Sequence, residues 1–388
     1  VTVEYHALLV DLRVARHHRQ RKVAHHLTVR SGYDINVEDV ERTGAVEDVD
    51  ETGAVEDVDE TGAVEDVDET GAVQLVTIDD IRAAAELIRP YVVRTPLVPA
   101  RWADDEGRPL WIKPENLQLT GAFKVRGAFN AIASLEVSVR ARGVVAYSSG
   151  NHAQAVAYAA AIYGVPAHIV MPEETAAVKV AATRSHGAEV VLCGAGEREK
   201  VAAEVVARTG GVLVPPFDHR DIIAGQGTIG LEIAEDLPAL DTVLIPVSGG
   251  GLASGIGTAI RALCPDARIV GVEPELAADT AEGLRVGHRV DWTIEDRNRT
   301  IADGLRSQPS ELTFAHLQMV LDGVITVSEN EIREAVRELA YRAHLVAEPS
   351  GAVALAAYRK GSTRQGRTVV ILSGGNIEPP MLQEILAG

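Results

Sequence analysis

The chain has 388 residues and a formal net charge of −19; 46% of its residues are apolar, and only 4% are aromatic. That length supports a large core and more than one domain, packed from aliphatic side chains rather than rings. No run approaches twenty apolar residues, which excludes a helical membrane span. No basic stripe is present to neutralise phosphates, which excludes nucleic-acid binding. The two cysteines, Cys193 and Cys264, lack CxxC spacing. Neither a disulfide framework nor a cysteine zinc site is therefore expected, and a reducing, cytoplasmic setting fits.

The acidity is concentrated at the start. Residues 1–75 hold eighteen Asp/Glu against seven Lys/Arg, a balance of −11 that leaves −8 for the rest. Within them, residues 43–69 are three copies of Thr-Gly-Ala-Val-Glu-Asp-Val-Asp-Glu. A segment this charged cannot bury enough apolar surface to offset its ordering entropy, so 1–75 is expected to be a disordered acidic extension. From Val76 the pattern becomes regular. Asp79 or Asp80 is placed to cap a helix running to Ile88, before Pro90. Short β-branched runs then predict strands at 143–147, 167–171, 189–193, 242–247, 268–272 and 368–372. Alanine-rich helical patterns, such as 153–162 and 331–344, lie between them. Apolar strands separated by helices indicate an α/β architecture built on parallel sheets.

Four segments carry chemistry. In Lys113-Pro-Glu-Asn-Leu-Gln-Leu-Thr-Gly-Ala-Phe-Lys124-Val-Arg-Gly, Lys124 sits between Phe123 and Val125. Desolvation there would lower its pKa and free an amine nucleophile, although a surface lysine opening a helix reads equally well. Ser148-Ser149-Gly150-Asn151-His152 follows a strand, where backbone N–H groups and hydroxyls suit a carboxylate; a plain helix cap is the alternative. Ser248-Gly249-Gly250-Gly251-Leu252 follows another strand and lets the backbone approach a phosphate closely. It matches neither the nucleotide P-loop nor the dinucleotide fingerprint. Ser373, in Leu372-Ser373-Gly374-Gly375-Asn376, offers a neutral hydroxyl at a fourth strand end.

Together, in this order and spacing, the four motifs resemble the fold type II (tryptophan synthase β-like) pyridoxal-phosphate (PLP) enzymes, over about residues 76–388. The branch they resemble is that of catabolic threonine/serine dehydratases and serine racemases. The resemblance implies two open parallel-sheet domains, a large one (76–142 and 220–388) and a small one (143–219). It implies Lys124 as the Schiff-base lysine and Phe123 beside the ring. Asn151 would meet the 3′-oxygen, residues 248–252 the phosphate and Ser373 the pyridine nitrogen. Ser148, Ser149, Asn151 and His152 would receive the substrate, with Ser149 as an opposite-face acid/base. The sequence departs from the family at Ala122, where serine is common, and at Ser248, which replaces the first of four glycines.

His152 after Asn151 resembles the dehydratase branch rather than cysteine synthases, and Val125 departs from threonine synthases. The implied reaction is α,β-elimination of L-Thr or L-Ser to a keto acid and ammonia. Serine racemase and the dehydratases of 3-hydroxyaspartate or the hydroxyectoine pathway share the same cofactor residues. With twelve residues after Asn376, a regulatory domain and feedback inhibition by isoleucine are not expected. Positions equivalent to Glu273, the Ala277 carbonyl and Asp279 bind Mg²⁺ or Ca²⁺ in the group, a donor set that suits a hard cation. Its members are homodimers or homotetramers.

Overall fold

The structure is a computed structural model that describes residues 74–104, 107–361 and 365–388. The acidic repeats of the 1–75 extension lie outside the described residues. Gln74 and Leu75 are described, and their carbonyls accept from the Arg220 guanidinium at 2.6 and 3.1 Å.

Among the described residues, ten strands form two sheets. They are β1 (Val98–Pro99), β2 (Leu110–Pro114), β3 (Val144–Tyr147), β4 (Ala167–Pro172), β5 (Glu189–Cys193), β6 (Val212–Leu213), β7 (Thr242–Pro246), β8 (Arg268–Pro274), β9 (Gly323–Val327) and β10 (Thr368–Leu372). The larger sheet runs β1-β2-β10-β7-β8-β9 and the smaller β5-β4-β3-β6. All pairings are parallel except the two-residue edge β1–β2. The expected α/β architecture with parallel sheets is what the chain adopts, with that one antiparallel edge added.

The apolar character on both strand faces has a direct structural cause. Along β10, Val370 and Leu372 face the core packed on helix Pro349–Arg359, while Val369 and Ile371 face helices Arg220–Asp236 and Gly251–Leu263. β7 repeats the alternation with Leu244 on one side and Val243 and Ile245 on the other. Each such aliphatic side chain contributes about 1.5–3 kcal/mol when fully buried. In the smaller sheet, Val144, Ala146, Ile169 and Met171 pack one face. Val145, Val170 and Cys193 pack the other, against Ala202 and Val205 of helix Arg198–Thr209. Both cysteines are buried free thiols. Among the described residues no helix is long and apolar enough to cross a membrane.

Two local expectations need correction. The first helix spans Ile78–Ile88 and its cap is Thr77, whose hydroxyl and Asp80 form a reciprocal capping box. Asp80 is the N3 partner rather than the cap, because the hydroxyl reaches the N3 amide while the longer carboxylate reaches back. The pattern read as one helix over 331–344 begins earlier, at Glu329, capped by Ser328. It gives way to a π-turn at Leu339–Ala343 and stops where His344 turns left-handed at φ 58°.

A buried ionic cluster ties these layers together. Arg126 is fully buried, and its guanidinium meets both carboxylate oxygens of Glu115 at 2.8 and 2.9 Å and both of Glu232 at 2.7 and 3.0 Å. Lys113, also fully buried, pairs with Glu232 and donates to the Thr95 carbonyl at 2.6 Å. Burial works against the Arg126 cation, but the two carboxylates hold its pKa above the ordinary value. Arg126→Met would leave buried Glu115 without a cation and Glu232 with Lys113 alone, so urea unfolding at neutral pH should report a loss of about 3–5 kcal/mol.

Candidate active site

Every residue nominated for cofactor or substrate, from Phe123 and Lys124 through 148–152 and 248–252 to Ser373, lines one cavity. The fold brings them together because three strand ends open onto the same space. β3 leads through Ser148–Gly150 into helix Asn151–Tyr163, β7 leads into helix Gly251–Leu263, and β10 ends just before Ser373. Ligand sites in open α/β sheets form at such carboxyl ends. Helix Lys124–Ser134 and helix Pro349–Arg359 also start at the cavity wall, and none of the four helices has a side-chain cap. Their first-turn N–H groups and positive dipole ends make the cavity receptive to anions.

Lys124 is partly buried, and its Nζ donates to the Pro216 carbonyl at 2.6 Å while lying 5.1 Å from the Phe123 ring centre. Desolvation pushes its pKa down to about 8. The segment before it is stitched to the β10 end: Phe123 N donates to Ser373 O at 3.1 Å, and Ala122 bridges Gly374. Ala122 is fully buried, with a Cβ added to Gly374 only 3.2 Å from its own. This departure from the family therefore sits in packing, not at the cavity wall.

The glycine loop fits a phosphate. Gly250 has φ 89°, and a Cβ there would lie 2.8 Å from Thr313 Cβ. At Gly249 it would lie 2.3 Å from the Phe217 ring. Backbone N–H groups are thus left uncovered at a helix start, the arrangement that cradles phosphate oxygens. Ser248 contributes less than its hydroxyl suggested, since Oγ donates to Ser307 O at 3.1 Å and accepts from Ser307 N at 3.0 Å. Ser373 Oγ reaches the Ser350 carbonyl at 3.5 Å.

His152 is buried, with Nε2 2.8 Å from the Val214 carbonyl. Burial, aided by the Lys124 charge, lowers its pKa to about 3. Its imidazole is therefore neutral at pH 7 and engaged with the main chain. Its backbone N–H, in the first turn of helix Asn151–Tyr163, is what it can offer a ligand.

Two residues that sequence reasoning left without a role reach Asn151. Glu348 Oε1 accepts from Asn151 Nδ2 at 2.7 Å, and Asn376 Nδ2 donates to Asn151 Oδ1 at 2.8 Å. Both line the cavity. The one signal for Glu348 was its place immediately before Pro349, the first residue of a helix. At the rim, Lys179 of the smaller-sheet region pairs with Asp303 at 3.0 Å and Glu378 at 3.5 Å.

The metal candidates lie away from this cavity. Glu273 and Asp279 are both buried, and Glu273 accepts from Thr280 N at 3.1 Å and Ala281 N at 2.8 Å. Burial and then the Asp279 charge push Glu273 up to about 8, while burial pushes Asp279 up to about 7. Asp279 borders a small recess with Thr280, Asp291 and Gln308. Among the described residues no three His, Cys, Asp or Glu side chains gather as a metal cage. Two buried acids destabilised by desolvation suit a hard cation that takes its other donors from carbonyls and water.

Residues 88–374 match the family model for pyridoxal-phosphate dependent enzymes. The chain belongs to that family. It is 42% identical over 317 residues to an L-threonine ammonia-lyase of Thermotoga maritima, covering 80% of this chain and 78% of the relative. It is 41% identical over 318 residues to an L-threo-3-hydroxyaspartate ammonia-lyase of Saccharomyces cerevisiae, covering 80% and 97%. Among solved structures, maize serine racemase superposes with a TM-score of 0.76 at 38% identity, covering 81% of this chain and 98% of that one. The pyridoxal-phosphate enzyme described here uses that cofactor, and the lysine amine, phosphate cradle and anion loop of its cavity fit the group. In cofactor-free protein the neutral Lys124 amine forms as pH rises through about 8. Modification by an amine-selective reagent, followed by mass spectrometry of its peptide, should rise with that midpoint, below the range of the exposed lysines.

Proposed function

We propose that this enzyme is a threonine/serine ammonia-lyase, converting L-Thr to 2-oxobutanoate and ammonia and L-Ser to pyruvate and ammonia. The observation that carries the reading is a lysine amine of lowered pKa in one cavity with an uncapped carboxylate-binding loop and a glycine phosphate cradle. Relatives at about 40% identity named as ammonia-lyases support the substrate class.

When bound, pyridoxal phosphate supplies an aldehyde for the substrate amine and a ring that accepts the electrons released at Cα. Lys124 would hold the cofactor, and its Nζ would take the Cα proton of the substrate. The first-turn N–H groups after Gly150 and the hydroxyls of Ser148 and Ser149 orient the substrate carboxylate. Residues 248–252 hold the phosphate, Phe123 flanks the ring, Asn151 meets the ring oxygen and Ser373 meets the ring nitrogen. The neutral Ser373 hydroxyl would not hold a proton on that nitrogen as a carboxylate would, a partner that suits elimination chemistry.

A second reading is serine racemase activity. It is favoured by Ser149 in the cavity wall, as a proton carrier on the face opposite Lys124, and by the likeness to maize serine racemase. Glu273, the Ala277 carbonyl and Asp279 form the proposed Mg²⁺ or Ca²⁺ site. The two sheets correspond to a large domain (76–142 and 220–388) and a small one (143–219). The enzyme acts in the cytoplasm as a homodimer or homotetramer.

Keto-acid release from L-Thr, L-Ser and L-threo-3-hydroxyaspartate, with chiral analysis of residual serine, tests the assignment. Turnover of L-Thr or L-Ser is expected, and borohydride should fix the cofactor mass on the Lys124 peptide. Lys124→Ala should abolish both, and retained turnover in that variant would refute the role. EDTA should lower the thermal midpoint, with Mg²⁺ or Ca²⁺ restoring it. No response to either treatment would remove the metal site.

A further inference from the structure

We propose that Glu348 is a positioning carboxyl of the cofactor site, acting through Asn151 to set the hydrogen bonding of the cofactor's ring oxygen. This rests on the reading above that Asn151 meets that oxygen.

The geometry begins at a strained residue. Thr120 is left-handed at φ 61°, and its carbonyl accepts from Asn376 Nδ2 at 2.7 Å. A carbonyl oxygen only accepts, so the Asn376 atom facing it is the amide nitrogen. The same nitrogen lies 2.8 Å from the Asn151 side chain, whose facing atom is therefore its oxygen. Asn151 is left with Nδ2 toward Glu348 Oε1 at 2.7 Å. One Nδ2 hydrogen goes to Glu348 and the second remains for the cavity. Two glycines keep this chain possible: a Cβ on Gly121 would meet Asn376 Oδ1 at 2.6 Å, and one on Gly374 would meet Glu348 Oε1 at 2.6 Å. The amide of Asn151 is thus fixed on one side by Asn376, itself anchored to the Thr120 carbonyl, and held on the other by an ionisable group.

The charged groups facing Glu348 are Asp303, from the turn Asp303–Leu305, and Lys179, from helix Ala177–Ser185. Lys179 is itself paired with Asp303 and Glu378. Burial and then the Asp303 charge push Glu348 up to about 7, against the Asn151 hydrogen bond and Lys179. The carboxyl therefore changes state within the neutral range. As a carboxylate it only accepts from Asn151; as an acid it also gains a donor of its own. Ser373, also in the cavity wall, presents a hydroxyl that does not titrate there.

The test is a pH titration of the visible absorption of the holoenzyme. Wild type should change across a midpoint of about 7. Glu348→Gln keeps an acceptor for Asn151 and should retain the band but lose the transition. Asp303→Asn removes a neighbouring negative charge and should move the midpoint down. A wild-type midpoint in Glu348→Gln, or a pH-invariant wild-type band, would overturn the proposal. Should Glu348→Gln fail to take up cofactor, the Asp303→Asn titration decides, and an unmoved midpoint there overturns it. Failure of the underlying reading looks different: Asn151→Ala would leave the band and its titration unchanged.

Discussion

Arg126 carries a guanidinium into the protein interior, where Glu115 and Glu232 each grip it with both oxygens. The three residues come from different places: the turn after β2, the helix that begins with Lys124, and the long helix Arg220–Asp236. Such a cluster is a poor source of net stability, because desolvating the charges offsets most of their attraction. Its effect is geometric. A planar guanidinium held in two bidentate contacts leaves the Lys124 helix little freedom to slide or rotate. Lys124, two residues earlier on the same helix, inherits that fixity.

The cavity then works by placement of partial charges. Four helix starts and a glycine loop aim N–H groups inward, while Glu348, also in the cavity wall, is buried and shifted toward neutrality. An anionic cofactor and a substrate carboxylate thus meet donors on several sides. Lys124, with a carbonyl rather than a carboxylate as its hydrogen-bond partner, keeps a lowered pKa. His152, which by residue type suggests acid/base work, is made inert by burial and by Val214.

Much of this was legible in the sequence. Strands such as β7 and β10 show as apolar runs because both their faces are covered, and the four motifs resemble one family in order and spacing. Other features left weaker traces. β2 carries Lys113 in a buried strand, which apolar patterning reads as a break, since the partner Glu232 is 119 residues away. β9, mostly half-buried at a sheet edge, lacks a full apolar run. Glu348 and Asn376 gain meaning only through contacts with Asn151, separated from it by 197 and 225 residues. Ser248 shows the converse: its hydroxyl was visible, but its engagement with Ser307 was not.

The position of β10 has a consequence for how the protein is made. It is the last strand in the chain, yet it lies between β2 and β7 in the middle of the larger sheet. During synthesis the smaller sheet, contained within residues 144–213, can close before β7, β8, β9 and β10 have been made. The larger sheet remains split until residue 372 emerges, with β2 and β7 each presenting an unpaired edge. Ser373 follows that strand directly. A nascent chain therefore has no complete cofactor pocket until β10 and Ser373 have both emerged.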